Sequence, residues 1–440
     1  MTSTIPAPPA GQRPRRPGWS RISSVGEQTL LICCLIGATQ MTWGTIVPAL
    51  PLYIAKFGAS ALILGPIIAA FGVGRVIANI PAGLALRRWS PRPYLRIVAV
   101  LLVLITAATG FSGDPTTLIV FRVLAGIFGG AAVTIGFALL VAGAPPDRRG
   151  RVMATATAVQ MSAGALGAFL GGLVLTWFPI EVAFIVASVP LALCLLWDAV
   201  RPATHYWKPL LVPARSRVGS DAIRDDPAPE SSAPRTRIPR AASTVAIVGV
   251  VSALAISSFA TFFARFGGEQ GLTPVLGYAR GGLTPFTLGL ALAAATLVSL
   301  AVMPVVGPLI DRGFRIVVLV PSTIAAAVAL LLYPLAEGPW IFALVIVLYG
   351  LTTSVAGVVP SVMMSESVPP HLSGFVVGIT RTAGDLGAVV GPLVAFAAYD
   401  AWGAWPAVMV IAGLLLVSNV LLVRVILRQR HLTIPVAASS

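Results

Sequence analysis

The chain has 440 residues, of which 57% are hydrophobic and only 10% are charged. Soluble domains carry about 25% charged residues, so this much apolar surface needs lipid as its solvent, and a soluble globular fold is excluded. The formal net charge is +15, from 30 basic and 15 acidic side chains; in a soluble chain this would point to nucleic acid, but here it fits the Lys and Arg that accumulate in cytoplasmic loops, and no nucleic-acid partner is expected.

Residues 1–28 form a Pro-rich tail with Arg13, Arg15, Arg16 and Arg21 and no packing periodicity, and read as a disordered segment. The apolar run at 29–54 is too long for a signal-peptide core and reads as an uncleaved first span. Eleven more apolar runs follow, at 61–85, 94–111, 116–141, 152–177, 182–200, 243–266, 285–306, 315–334, 340–364, 374–398 and 404–427. Short separators rich in Gly, Pro or charge divide them, as at Gly113-Asp114-Pro115 and Glu337-Gly338-Pro339. An even number of spans puts both termini on one side. That side collects 24 of the 30 basic residues, while the other holds little beyond Lys56 and Arg280. The imbalance predicts that both termini face the cytoplasm. The expected chain is an all-α membrane protein of the cell inner (plasma) membrane, with twelve transmembrane helices.

The segment 201–242 breaks the rhythm. It holds Asp221, Asp225, Asp226, Glu230, several Pro and eight basic residues, with no apolar face. It reads as a cytoplasmic linker between an N-terminal half, 29–200, and a C-terminal half, 243–428, with a second tail at 429–440. Cys33, Cys34 and Cys194 lie in apolar runs and imply no disulfide framework or metal site. His205, His371 and His431 all fall outside the spans. No phosphate loop or nucleophile constellation is present, so neither an enzyme nor ATP-driven transport is expected, and no cofactor is called for.

One stretch occurs twice. Ala163-Gly-Ala-Leu-Gly-Ala-Phe-Leu-Gly-Gly-Leu-Val174 and Ala383-Gly-Asp-Leu-Gly-Ala-Val-Val-Gly-Pro-Leu-Val394 agree at eight of twelve positions, 220 residues apart. The shared glycines, Gly164, Gly167 and Gly171 and then Gly384, Gly387 and Gly391, lie along one helix face in each copy. Mid-helix Gly costs about 1 kcal/mol relative to Ala. Three on one face therefore predict close approach of another backbone, as between membrane helices. At an offset of 224, Gly65 matches Gly289, Gly83 matches Gly307, Arg88 matches Arg312 and Gly126 matches Gly350. Two halves of the same topology predict parallel repeats about an axis along the membrane normal.

With this order of motifs the chain resembles the major facilitator superfamily, most closely its twelve-span drug-efflux branch, across nearly everything from 29 to 428. The superfamily's Gly-x-Leu-Ala-Asp-Arg-x-Gly-Arg-Arg loop after span 2 stands here as Gly83-Leu84-Ala85-Leu86-Arg87-Arg88-Trp89-Ser90-Pro91-Arg92, with Arg87 in place of the acid. Its echo, Gly307-Pro308-Leu309-Ile310-Asp311-Arg312, keeps the acid. Phe121-Arg122 with Gly126, Gly129 and Gly130 looks like the family's span 4 motif, and Gly167-Ala168-Phe-Leu-Gly171-Gly172 like its antiporter element with Ala168 replacing Pro. Gly44-Thr-Ile-Val-Pro48-Ala-Leu-Pro51 is similar to the efflux branch's ending of span 1. The resemblance implies the major facilitator fold of two six-helix parallel repeats and a central cavity with alternating access. Spans 1, 4, 7 and 10 would surround the cavity, and spans 2, 5, 8 and 11 would form the seam between halves, where the repeated glycine faces fit. It also implies a cytoplasmic gate built on Gly83, Arg87, Arg88, Gly307, Asp311 and Arg312, in which Asp311 meets the start of span 5 at Arg148, Arg149 or Arg151. Arg87 cannot play the matching part and would turn to Glu366, leaving an asymmetric lock.

The expected activity is secondary transport: proton-coupled export of a small amphipathic molecule by a monomer. An uptake symporter or uniporter, and a non-transporting sensor or assembly protein on the same scaffold, are the alternatives, the last favoured by Arg87. Charges inside spans are costly and need partners or water. Asp385 is the one carboxylate placed deep in a span, with Arg75 across the seam or Arg381 one turn away as its partner, and these three are the proton-coupling candidates. Gln40, Trp43, Asn79, Arg122, Ser257, Ser258, Thr352 and Thr353 are candidate walls of the substrate cavity, although Ser and Thr often bond their own helix backbone instead. Arg265 reads as snorkelling at the outer end of span 7. The dozen residues after it are either a broken helix over the cavity mouth or a longer outer loop.

Overall fold

The structure, a computed structural model, describes residues 24–86, 88–144, 148–200, 240–368 and 373–433. Among them are twelve helices long and apolar enough to cross a membrane, and no strand. In order they are Gly26–Phe57, Ala61–Ala85, Pro91–Thr109, Pro115–Gly143, Arg151–Trp177, Ile180–Val200, Ile247–Ala279, Pro285–Asp311, Arg315–Leu332, Pro339–Met364, Phe375–Trp402 and Ala404–Arg428, here spans 1 to 12. The expected linker lies outside the described residues up to 239, as do the tails 1–23 and 434–440.

Local chemistry marks the helix starts. Pro91, Pro115, Pro285 and Pro339 sit in first turns, where a missing backbone N–H leaves nothing unpaired. The Asp114 side chain accepts from Thr117 N–H at 2.9 Å, and Thr284 and Thr287 form a reciprocal capping box. Hydrogen bonds from Thr117 hold the exposed Asp114 carboxyl below the ordinary carboxylate range. The tight turns after spans 8 and 11 use Gly313 (φ 89°) and Gly403 (φ 84°), a backbone region that side chains with a Cβ disfavour.

Each half repeats the same packing. In the first, span 1 lies on span 5, span 2 on span 4, and span 3 on spans 4 and 6; in the second, span 7 lies on span 11, span 8 on span 10, and span 9 on spans 10 and 12. The halves join where span 5 meets span 8 and span 2 meets span 11. Large apolar side chains such as Leu104, Leu297, Val317 and Leu344 point outward, as lipid-facing positions must.

The joining contacts lie at mid-membrane and on the side away from the termini. Gly289 packs on the Ala168 carbonyl and Gly172 on that of Pro285, the Phe169 and Phe286 rings are 6.0 Å apart, and Gly65 sits against Pro392 and Phe396. Tyr278 Oη donates to the Pro48 carbonyl at 2.7 Å. Toward the termini, Gly83, Gly307 and Gly378 have open space around them. Among the described residues, the halves are therefore joined on the far side and stand apart on the termini side.

Span 7 departs from the sequence expectation. Its end is neither a broken helix nor a loop. The helix continues to Ala279, with Ala264–Leu272 in π-helical geometry and Thr273–Ala279 returning to α-helix. Wider π turns absorb the surplus residues, and such segments are frequent at functional sites.

Candidate functional site

Two polar clusters lie inside the bundle. The first is at the contact of spans 2 and 11. Asp385 is 1% exposed, and its Oδ1 lies 3.0 Å from Arg75 Nη2. Asn79 Nδ2 donates to its Oδ2 at 2.5 Å, and Thr134 of span 4 donates to Asn79 Oδ1 at 3.3 Å, which fixes the amide's orientation. Arg75 and Asn79 are four residues apart, so one face of span 2 presents both to the acid. Small residues make room for them. A Cβ on Gly72 would lie 3.0 Å from Val389 Cγ2, and one on Gly130 would lie 3.2 Å from Arg75 Cα. Of the two guanidinium partners considered for Asp385, Arg75 is the one in contact. Arg381 instead sits with its Cζ 5.6 Å from the centre of the Phe137 ring and forms no ion pair with Asp385.

The second cluster surrounds a cavity. Its walls are Trp43, Gly44 and Val47 of span 1, Met161, Gly164, Ala165 and Ala168 of span 5, Arg265, Glu269 and Gln270 of span 7, and Leu292 and Thr296 of span 8. Trp43 Nε1 donates to Gln270 Oε1 at 2.6 Å and so bridges the halves. Arg265 Nη1 contacts Met161 Sδ at 3.1 Å. Glu269, half-buried, forms no ion pair or hydrogen bond among the described residues.

Several expected wall residues lie elsewhere. Arg122 is 1% exposed and packed behind Trp43, its Cζ 4.4 Å from the Trp43 ring centre and 4.9 Å from that of Phe71. Its Nε and Nη2 have no hydrogen-bond partner, so the ring faces stand in for a counter-ion. Thr352 donates to Leu348 O at 2.7 Å and Thr353 to Tyr349 O at 2.8 Å, each within its own helix. Ser257 is buried, Ser258 lies against Gly384, and Asn79 belongs to the Asp385 cluster. Gln40 is half-buried just behind Gly164. Trp43 alone of the eight borders the cavity described above. Arg265 does not snorkel away but faces that cavity. Glu269 escapes a reading of the sequence because it sits past the apparent end of span 7. The available signal was the surplus of about a dozen residues there over span 1.

The glycine stripes also need correction. They do not form the seam between halves. A Cβ on Gly171 would lie 2.6 Å from Thr45 O, one on Gly167 2.5 Å from Met41 O, and one on Gly391 2.6 Å from Phe263 O. Gly387 packs on the Phe259 backbone, Gly384 on Phe262, and Gly164 beside Gln40. The stripes thus bind span 5 to span 1 and span 11 to span 7, each within its own half. The seam uses the adjoining faces, with Ala168, Gly172, Gly289, Gly65 and Gly72.

The expected gate residues lie on the termini side. Arg88, Asp311 and Arg312 are exposed, Gly83 and Gly307 face open space, and Arg87 falls outside the described residues. Asp311 forms no ion pair with Arg151 in this open arrangement. On the same side Arg92 and Arg96 of span 3 clasp the buried Asp198 of span 6 at 3.3 Å and 2.5 Å.

Comparison with known proteins agrees with this architecture. Proteins named multidrug resistance protein MdtG match one part of the chain: that of Enterobacter lignolyticus is 33% identical over 129 residues, and that of Citrobacter koseri 34% over 135. The match covers about a third of each relative's length, 30% and 32%, and 29% and 30% of this chain. Among solved structures, the human organic anion transporter MFSD10 (TETRAN) has a TM-score of 0.62 at 20% identity, covering 91% of this chain and 99% of its own. A point mutant of the nucleoside transporter NupG has 0.67 at 11%, covering 90% and 99%. A bacterial homolog of the human lysosomal transporter Spinster, inward-facing and unoccupied, has 0.61 at 13%, covering 94% and 98%. The model of the Major Facilitator Superfamily matches residues 32–392 and 245–439. The chain is therefore a multi-pass membrane protein that belongs to the Major Facilitator Superfamily.

Proposed function

We propose that this protein is a secondary transporter of the inner (plasma) membrane that exports small amphipathic molecules in exchange for protons, acting as a monomer. The positive-inside charge distribution puts both termini in the cytoplasm, so the bundle described above is the state open to the cytoplasm. The multidrug resistance names of the partial relatives support export.

The observation that carries the reading is Asp385. It is buried at the contact between halves and holds Arg75 and Asn79 of the other half. An ionised Asp385 ties span 11 to span 2. A protonated one loses the charge that attracts Arg75, and the halves are freer to part on the far side. The paired form is then the state left after a proton has been released into the cytoplasmic cleft, and exchange requires that bound substrate itself part Asp385 from Arg75 before the far side opens. In the opposite state Asp311 would close on Arg148, Arg149 or Arg151 while Arg87 offers no matching acid, so the cytoplasmic lock is asymmetric.

Proteoliposomes test this. Wild-type protein oriented with its cytoplasmic face outward should move substrate into the lumen when the lumen is made acidic. Asp385→Asn should lose this gradient-driven export while keeping downhill exchange. Retained pH-dependent export in that variant would remove Asp385 from the mechanism, and substrate movement with the proton instead of against it would make the protein an uptake symporter.

A further inference from the structure

The cavity beside span 7 is lined by an arginine and a glutamate that form no ion pair with each other. Arg265 and Glu269 stand four residues apart and both line it. On an α-helix such a spacing lets the two side chains meet, whereas in the π-helical geometry of Ala264–Leu272 they form no ion pair. Arg265 rests on the thioether of Met161 at 3.1 Å, a weak acceptor for a guanidinium. Glu269 has no donor at all among the described residues. The remaining walls are small or apolar, apart from Thr296, whose hydroxyl bonds its own helix at Leu292 O, and Gln270, whose carbonyl oxygen is taken by Trp43.

We propose that Arg265 and Glu269 form a binding site for a zwitterion with an apolar body, the anionic group on Arg265 and the cationic group on Glu269. This names the substrate class of the transporter proposed above and rests on that reading. The physical reason is charge balance. As a whole the cavity wall is neutral, but each of its charges lacks a strong partner in a setting where unpaired charges are costly. A ligand with one charge satisfies one wall group and brings a like charge close to the other. A zwitterion satisfies both and enters with no net charge, which also limits its own desolvation.

Three probes with one naphthylmethyl body and charges that do not titrate near neutral pH test the site: a dimethylglycine betaine, a trimethylammonium and a carboxylate. Binding is measured by calorimetry on the full-length protein in lipid nanodiscs. The betaine should bind at least about tenfold more tightly than either singly charged probe, a ratio equal to about 1.4 kcal/mol. Glu269→Gln should remove the betaine's advantage over the carboxylate, and Arg265→Gln its advantage over the trimethylammonium. Glu269→Asp should keep the preference, which separates charge recognition from a general loss of fold. Tighter binding of a singly charged probe, equal binding of all three, no binding of any, or a preference unmoved by both variants overturns the site. A betaine preference without proton-driven export would leave the site standing and remove the exporter. Proton-driven export without the preference would do the reverse.

Discussion

Two intramembrane acids occupy opposite situations. Asp385 is almost fully buried, paired with Arg75 and bonded by Asn79 across the contact of spans 2 and 11. Glu269 is half-buried on a cavity wall, beside an arginine it does not pair with. The first has its counter-ion and one hydrogen-bond donor within the protein, so its charge holds helices together. The second is left unsatisfied by the protein, so its charge is available to something else.

The largest test of that contrast is Arg75→Leu. It leaves Asp385 buried without its counter-ion and should cost about 3–5 kcal/mol of stability, read by thermal unfolding of the purified protein. Adding Asp385→Leu should recover most of the loss. Additive losses in the double variant would show that the pair does not interact as described.

Next come the glycine stripes. Gly171→Ala or Gly391→Ala puts a methyl within 2.6 Å of a carbonyl oxygen and should cost about 1–3 kcal/mol through overpacking. Gly83→Ala, in open space, should be close to neutral by the same assay. Equal effects at both kinds of site would mean that the stripes do not set helix approach.

Trp43→Phe keeps the packing against Phe71 but removes the indole donor to Gln270 at 2.6 Å. A loss of about 0.5–1.5 kcal/mol is expected, together with faster labelling of cysteines placed on the far side. An unchanged labelling rate would show that this bond does not help close the far side.

Glu269→Gln should be milder for stability, less than about 1 kcal/mol, because no partner is stranded. A loss as large as that at Arg75 would show that Glu269 is part of the structural core. Smallest of all for stability is Asp311→Asn. It should leave unfolding unchanged and shift cysteine accessibility toward the cytoplasm-open state, and unchanged accessibility from both faces would remove the asymmetric lock.

The sequence alone determined the class, the number of spans, the repeat and the family. Each rests on local or periodic information. An apolar run long enough to cross lipid is recognisable without knowing its neighbours, and a repeat is recognisable by comparing the chain with itself. It also placed Asp385 deep in span 11 and offered Arg75 as a partner, because a charge in an apolar run stands out. What it left undecided depends on which face of a helix meets which neighbour. The stripes at Gly167 and Gly387 announced close contact, but only packing showed the partner to be span 1 or span 7 and not the other half. The choice of Arg75 over Arg381 turned on a span 4 ring, Phe137, that takes up the second guanidinium. Glu269 was hidden because a π-helical stretch rich in Gly and polar residues lowers local hydropathy, so span 7 appears to end before it. Hydropathy counts side chains one by one, whereas burial in this bundle is conferred by the helices around them.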